Sequence, residues 1–222
     1  MNLSNKLAQK IASELNYDDE KKAVINYGIF AFLQILASLF LVALFGLLLG
    51  VVAQALVVSF ASSILRQYSG GVHASRPSIC LIIGTVVTIG IAVIAHYVSG
   101  LIAAGFIIAV DAVLIIVSYL LVCKYAPVDS PAKPIKTESR RKKMKRFSLV
   151  ILSAYLICVA ILVIVHFTQA NNVVIEYSLC ICLAIGWQVF NLTIIGHSIL
   201  TKVDSLLKKV LLFKRRNLNE EN

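Results

Sequence analysis

The sequence predicts an all-α membrane protein that crosses the bilayer about six times. Three observations predict it. Hydrophobic residues make up 59% of the chain and charged residues only 14%, against about 25% charged in a soluble domain. Apolar runs of about twenty residues, the length of a bilayer-spanning helix, alternate with short charged segments. The positive charges fall in alternate connections only. Open strands cannot satisfy their backbone groups in lipid, and the ten-residue alternating segments of a β-barrel are missing from the sequence.

Taken in order, residues 1–22 are polar, with a helical stripe at Leu3, Leu7, Ile11 and Leu15. That spacing predicts a cytoplasmic amphipathic segment lying on the membrane surface. The segment has no apolar signal core, so insertion through the first span is expected. A short acidic turn, Asp18 to Glu20, follows. Residues 23–65 are apolar almost throughout, too long for one span, and Gly46 and Gly50 offer the break. The first two spans are therefore placed at about 25–46 and 49–66. After the polar segment Arg66 to Pro77 come a third span at about 78–97 and a fourth at about 101–122. A loop from Cys123 to Arg146 carries three of the four prolines and ends in a basic run. The fifth and sixth spans fall at about 147–167 and 173–196. The tail, 197–222, has a second amphipathic stripe at Ile199, Val203, Leu206, Val210 and Leu211, expected on the cytoplasmic surface. One membrane domain, with 25–196 as its transmembrane core, accounts for the whole chain.

Charge sets the orientation. With the N-terminus inside, the inner segments hold four, two, nine and six Lys or Arg, which is all 21, and the outer loops hold none. This division fixes cytoplasmic termini and places Arg66 to Cys80 at the cytoplasmic face. The net charge of +10 is thus a topology signal and an affinity for anionic lipids, and nucleic acid is not an expected partner. The five cysteines are an odd count, against a full disulfide framework, and Cys158, Cys180 and Cys182 inside apolar spans read as small packing residues. No ligand spacing among histidines, cysteines and carboxylates suggests a metal, and no cofactor is expected.

The segment with chemistry in it is Arg66-Gln-Tyr-Ser-Gly70-Gly71-Val-His73-Ala-Ser-Arg76-Pro77-Ser-Ile-Cys80. A thiolate nucleophile needs a base and surroundings that favour negative charge. His73 can be the base, Arg66 and Arg76 raise the local potential, and Cys80 falls in the first turn of a helix. In a continuous helix, His73 and Cys80 would be separated by about 10 Å along the axis, so the chain must bend between them. Pro77 supplies that break, and Gly70 and Gly71 open backbone conformations closed to other residues. The amides of the glycine pair are also candidates for stabilising an oxyanion. From residue types alone, a turn and an inert cysteine explain the segment as well.

The pattern formed by Arg66, Gly70, Gly71, His73, Ala74 and Cys80 resembles the accessory gene regulator B family, as do Lys124 to Pro134, the length, the multiple spans and the basic run. The resemblance implies a membrane-embedded cysteine endopeptidase of a Gram-positive cell membrane. It implies Cys80 as nucleophile and His73 as general base, supported by Arg66, Gly70, Gly71 and Arg76. The implied partner is the precursor of a cyclic autoinducing peptide in quorum sensing. It would be cut through a thioester and closed into a thiolactone or lactone.

Arg140, Arg141, Lys142, Lys143, Lys145 and Arg146 are read as a topology anchor for anionic lipids and as candidate binders of an acidic part of the precursor. Asp111, deep in the fourth span, is expected to be a structural partner of Gln188 or Asn191. His96, His166 and His197 read as interfacial residues. A homodimer is one expected assembly. The contrasting reading is a transporter or channel component without covalent chemistry, drawing on Asp111, Gln188 and Asn191.

Overall fold

The computed structural model describes residues 3–71, 74–129, 135, 137–169 and 171–220, with the side chains of 211–220 outside that description. Eight helices are described: α1 (Leu3–Glu14), α2 (Asp19–Leu48), α3 (Val52–Ser69), α4 (Pro77–Leu101), α5 (Ala104–Tyr125), α6 (Glu138–Gln169), α7 (Val173–Phe190) and α8 (Ile194–Glu220). Among the described residues, the sole β-type pairing is a bridge between Gly70 and Val128. Five helices, α2, α4, α5, α6 and α7, are long and apolar enough to cross a membrane. The protein is an all-α polytopic membrane protein. The second expected span, α3, is less apolar than these because Gln54, three serines, Arg66, Gln67 and Ser69 interrupt its 18 residues.

Several boundaries differ from the sequence expectation for physical reasons. Asp19 and Glu20, expected in a turn, form the first turn of α2, where their charge is favourable against the helix dipole. Gly46, expected at the break, lies inside α2, and the turn falls at Leu49 to Val51. A Cβ on Gly46 would come within 2.9 Å of the Val52 Cα, so glycine here permits a close crossing of α2 and α3. The basic run 140–146, expected in a loop, is the first part of α6. Lys and Arg are good helix formers, and an i,i+4 pair between Glu138 and Lys142 at 2.8 Å supports that turn. The expected sixth span ends early, at Phe190, and α8 starts at Ile194.

The chain packs as two compact units, 1–41 and 42–222. In the first, α1 exposes Leu3, Leu7, Ile11 and Leu15, the stripe read from the sequence, and buries Ser4, Ala8 and Ala12. In the second, α7 is central and packs on α3, α4, α5 and α6. Its buried residues include Ile175, Leu179, Cys180, Cys182, Ala184, Ile185 and Val189, which spread around the helix rather than along one stripe. Cys180 and Cys182 are packing residues, whereas Cys158 is on an exposed face of α6.

Polar contacts between helices fix their register. Asp111 accepts a hydrogen bond from Ser178 Oγ at 2.7 Å, not from the expected Gln188 or Asn191. Tyr155 donates to the Ala61 carbonyl at 2.9 Å, and Tyr119 meets Ser153 at 2.7 Å. At the end away from the basic segments, the buried Glu176 receives Gln54 Nε2 at 2.6 Å and contacts His96 Nδ1 at 2.8 Å. His96 is therefore a partner in a three-helix polar contact, more than an interfacial residue. Removing the carboxylate would leave two donors unpaired, at about 1–3 kcal/mol. Glu176→Ala is accordingly expected to lower the thermal midpoint of the detergent-solubilised protein, with Glu176→Gln less affected.

Candidate active site

The site is built where the ends of α3, α5 and α7 meet the start of α4. Arg66 sits in the last turn of α3. The helix then stops at Gly70, whose N–H bonds back to the Arg66 carbonyl at 3.0 Å. Gly70 has φ +75° and Gly71 φ +129°, conformations that side-chain-bearing residues rarely adopt. A Cβ on Gly70 would also collide with the Val128 carbonyl oxygen. The chain after α5 thus lies directly against Gly70, held by Val128 N–H to the Ser69 carbonyl at 2.9 Å. From α7, the buried Gln188 completes the turn: its Nε2 donates to Ser69 Oγ at 2.9 Å and to the Gly70 carbonyl at 2.8 Å.

Helix α4 begins with Pro77 after an extended Arg76, the geometry a proline at the first helical position favours. Cys80 is in the first turn, as expected from sequence, and its N–H bonds to the Arg76 carbonyl at 3.1 Å. Cys80 is a free, partly buried thiol. The Arg66 guanidinium lies close enough to interact electrostatically with Cys80.

Cys80 and Arg66 open into a cavity of about 300 Å³. Ala74 and Ser75 form one part of its wall, Val128 and Asp129 a second, and Trp187 and Asn191 a third. Helix α8 closes the remaining side with His197, Leu200, Thr201 and Asp204. The cavity has the size of a small-molecule or peptide-segment site, mixing apolar walls with a few polar groups. His73 lies outside the described residues, and its sequence neighbour Ala74 lines the cavity.

Of the other residues singled out from sequence, Gly70 and Gly71 shape the turn behind the cavity, and Arg76 precedes α4 without lining it. None of the six basic residues of α6 lines the cavity. Arg141 reaches it indirectly, pairing with Asp129 at 2.8 Å. Lys145 donates to the Cys123 carbonyl, one of the free carbonyls at the end of α5. Lys143 lies 6.0 Å over the Phe147 ring.

Sequence reasoning singled out Asn191 only as a partner of Asp111 or as part of a transport reading, and did not find Trp187, His197, Asp129 or Asp204 as site residues. His197 and Asp204 are seven apart on α8, so they lie two turns apart on one helix face, a signal that the chosen apolar stripe obscured. Asp204 Oδ1 accepts the Ser75 N–H at 2.9 Å, tying α8 to the segment between Gly71 and Cys80. Asp204→Ala is expected to remove that tie at a cost of about 1 kcal/mol for the lost bond. Asp204→Asn, which keeps an acceptor, should lose less. Thermal midpoints of the two detergent-solubilised variants check this.

The model of the accessory gene regulator B family matches residues 4–192. An AgrB-like protein of Clostridium perfringens (strain SM101 / Type A) is 38% identical over 212 residues, covering 95% of this chain and 99% of the relative. A second from Clostridium perfringens (strain 13 / Type A) is 36% identical over 218 residues, covering 95% and 99%. An AgrB-like protein of Listeria innocua serovar 6a is 24% identical over 180 residues, covering 80% and 83%. No solved structure matches the chain.

Proposed function

The chain belongs to the accessory gene regulator B family, and we propose that it is a cysteine endopeptidase that processes the precursor of a cyclic signalling peptide in quorum sensing. The observation that carries this reading is Cys80 in the first turn of α4, opening with Arg66 into one cavity of about 300 Å³.

The chemistry runs as an acyl transfer. His73 takes the Cys80 proton, and the thiolate attacks the carbonyl carbon of the scissile peptide bond. The C–N bond breaks, the proton passes to the leaving amine, and the N-terminal part of the precursor remains on Cys80 as a thioester. A thiol or hydroxyl within that peptide then attacks the thioester carbonyl and gives up its proton. Cys80 leaves as a thiol and the peptide closes as a thiolactone or lactone. Water would divert the thioester to hydrolysis. Trp187, Ile83 and Leu200 give the cavity apolar wall, and a drier site favours ring closure over hydrolysis.

The basic segment of α6 suits binding of an acidic stretch of precursor or of anionic lipid headgroups. The positive-inside count supports a cytoplasmic cavity. A transport pathway would draw on Asp111, Gln188 and Asn191; the first two are hydrogen-bonded inside the bundle, and Asn191 lines the cavity that holds Cys80. The test is cleavage of a candidate precursor, sought among short reading frames beside this gene, by the native protein in proteoliposomes. The peptidase reading expects cleavage that needs Cys80. A transporter would move the peptide intact and tolerate Cys80→Ala.

A further inference from the structure

An oxyanion forming at the cavity needs a donor, and the backbone of the motif supplies few. The Gly70 N–H is bonded to the Arg66 carbonyl, the Cys80 N–H to the Arg76 carbonyl, and the Ser75 N–H to Asp204. Three amides near the nucleophile, including one of the glycine pair considered from sequence, are therefore already committed.

Asn191 supplies what they do not. It stands at the break between α7 and α8, is 1% exposed, and lines the same cavity as Cys80 and Arg66. Its backbone N–H is bonded to the Trp187 carbonyl at 3.2 Å, which fixes its position. Its side chain, however, has no partner at either Nδ2 or Oδ1. The other buried amides of the bundle, Gln54 and Gln188, are both hydrogen-bonded. A buried amide left unpaired is costly, and native proteins keep such groups chiefly where a ligand or water completes them.

We propose that Asn191 contacts the substrate, its side-chain amide donating to the scissile carbonyl oxygen as Cys80 attacks, with Oδ1 accepting from a peptide N–H of the same segment. This rests on the reading of Cys80 as a peptidase nucleophile. The donor gains strength as the oxygen becomes negative, so it favours the transition state over the bound precursor.

The test uses the native protein in proteoliposomes with a candidate precursor sought among short reading frames beside its gene. Asn191→Ala and the isosteric Asn191→Asp are expected to slow single-turnover acylation about 10²–10³-fold, with a smaller change in KM. Asn191→Gln should recover part of the rate. A peptide aldehyde matching the cleavage site forms a tetrahedral adduct on Cys80 and should lose affinity in parallel. Alkylation of Cys80 by iodoacetamide should keep its native rate, showing a folded site with an intact nucleophile.

Native acylation and aldehyde affinity in Asn191→Ala and Asn191→Asp would overturn the proposal. So would a matching fall in alkylation, which would assign Asn191 to the nucleophile's surroundings instead. Cleavage that survives Cys80→Ala would remove the nucleophile reading itself, and with it this role for Asn191.

Discussion

Cys80→Ala should abolish precursor cleavage, with a loss of at least about 10⁴-fold in rate, while leaving the fold intact. The size follows from the role: without the sulfur no acyl-enzyme forms, and removing the nucleophile of a covalent catalyst costs factors of this order or more. The fold should survive because Cys80 is only partly buried and its N–H bond to the Arg76 carbonyl is a backbone bond that alanine keeps. His73→Ala should produce a similar loss by removing the acceptor of the thiol proton. The two effects should not add, since each residue is useless without the other. Product quantified by mass spectrometry, with the thermal midpoint measured alongside, checks both halves.

Gly70→Ala is the substitution expected to damage the site most without touching the chemistry. Gly70 has φ +75°, and a Cβ would collide with the Val128 carbonyl oxygen. Backbone must move at both places. The shift would break the Val128–Ser69 pairing and pull Gln188 from the Gly70 carbonyl. The expected cost is about 2–4 kcal/mol, combining a residue forced out of its allowed region with lost buried hydrogen bonds. Activity should fall below a tenth of native, because the strand of chain displaced is the one leading into His73. Gly71→Ala should be milder: its Cβ would meet its nearest neighbour, Gln188 Nε2, at an ordinary 3.6 Å, leaving strain at φ +129° as the main cost. A lower thermal midpoint for Gly70→Ala than for Gly71→Ala, with activity in the same order, is the result to look for.

Five of the six expected spans were legible in the sequence because lipid imposes a single strong rule, that every backbone group be paired within an apolar helix. The break before α4 was legible too, since Pro77 and the glycine pair state their backbone preferences locally. What escaped the sequence was decided by packing between distant segments. Gln54, His96 and Glu176 come from three helices, and nothing in their local spacing announces that they meet. Asp111 finds Ser178 rather than Gln188, which stands ten residues, about 15 Å, further along α7 and bonds Ser69 and Gly70 instead.

The end of α7 was hidden for a different reason. Leu192, Ile194 and Ile195 continue the apolar composition past Phe190, so hydropathy extends the span across a real break. That misreading concealed Asn191 at the corner and the face of α8 that closes the cavity. Charge alone was also misleading for 140–146, where a dense basic run suggested a solvated loop. In the protein, the run is helical, and Arg141 and Lys145 brace the chain leaving α5.

The central claim is that Cys80 carries the precursor as a thioester. The most direct measurement is intact-mass analysis of the protein in proteoliposomes, quenched in acid during cleavage of its candidate precursor. The account predicts an adduct equal in mass to the precursor's N-terminal part, located on Cys80, removed by hydroxylamine and absent from Cys80→Ala. Full cleavage with Cys80 unmodified throughout, or an adduct on another residue, would contradict it.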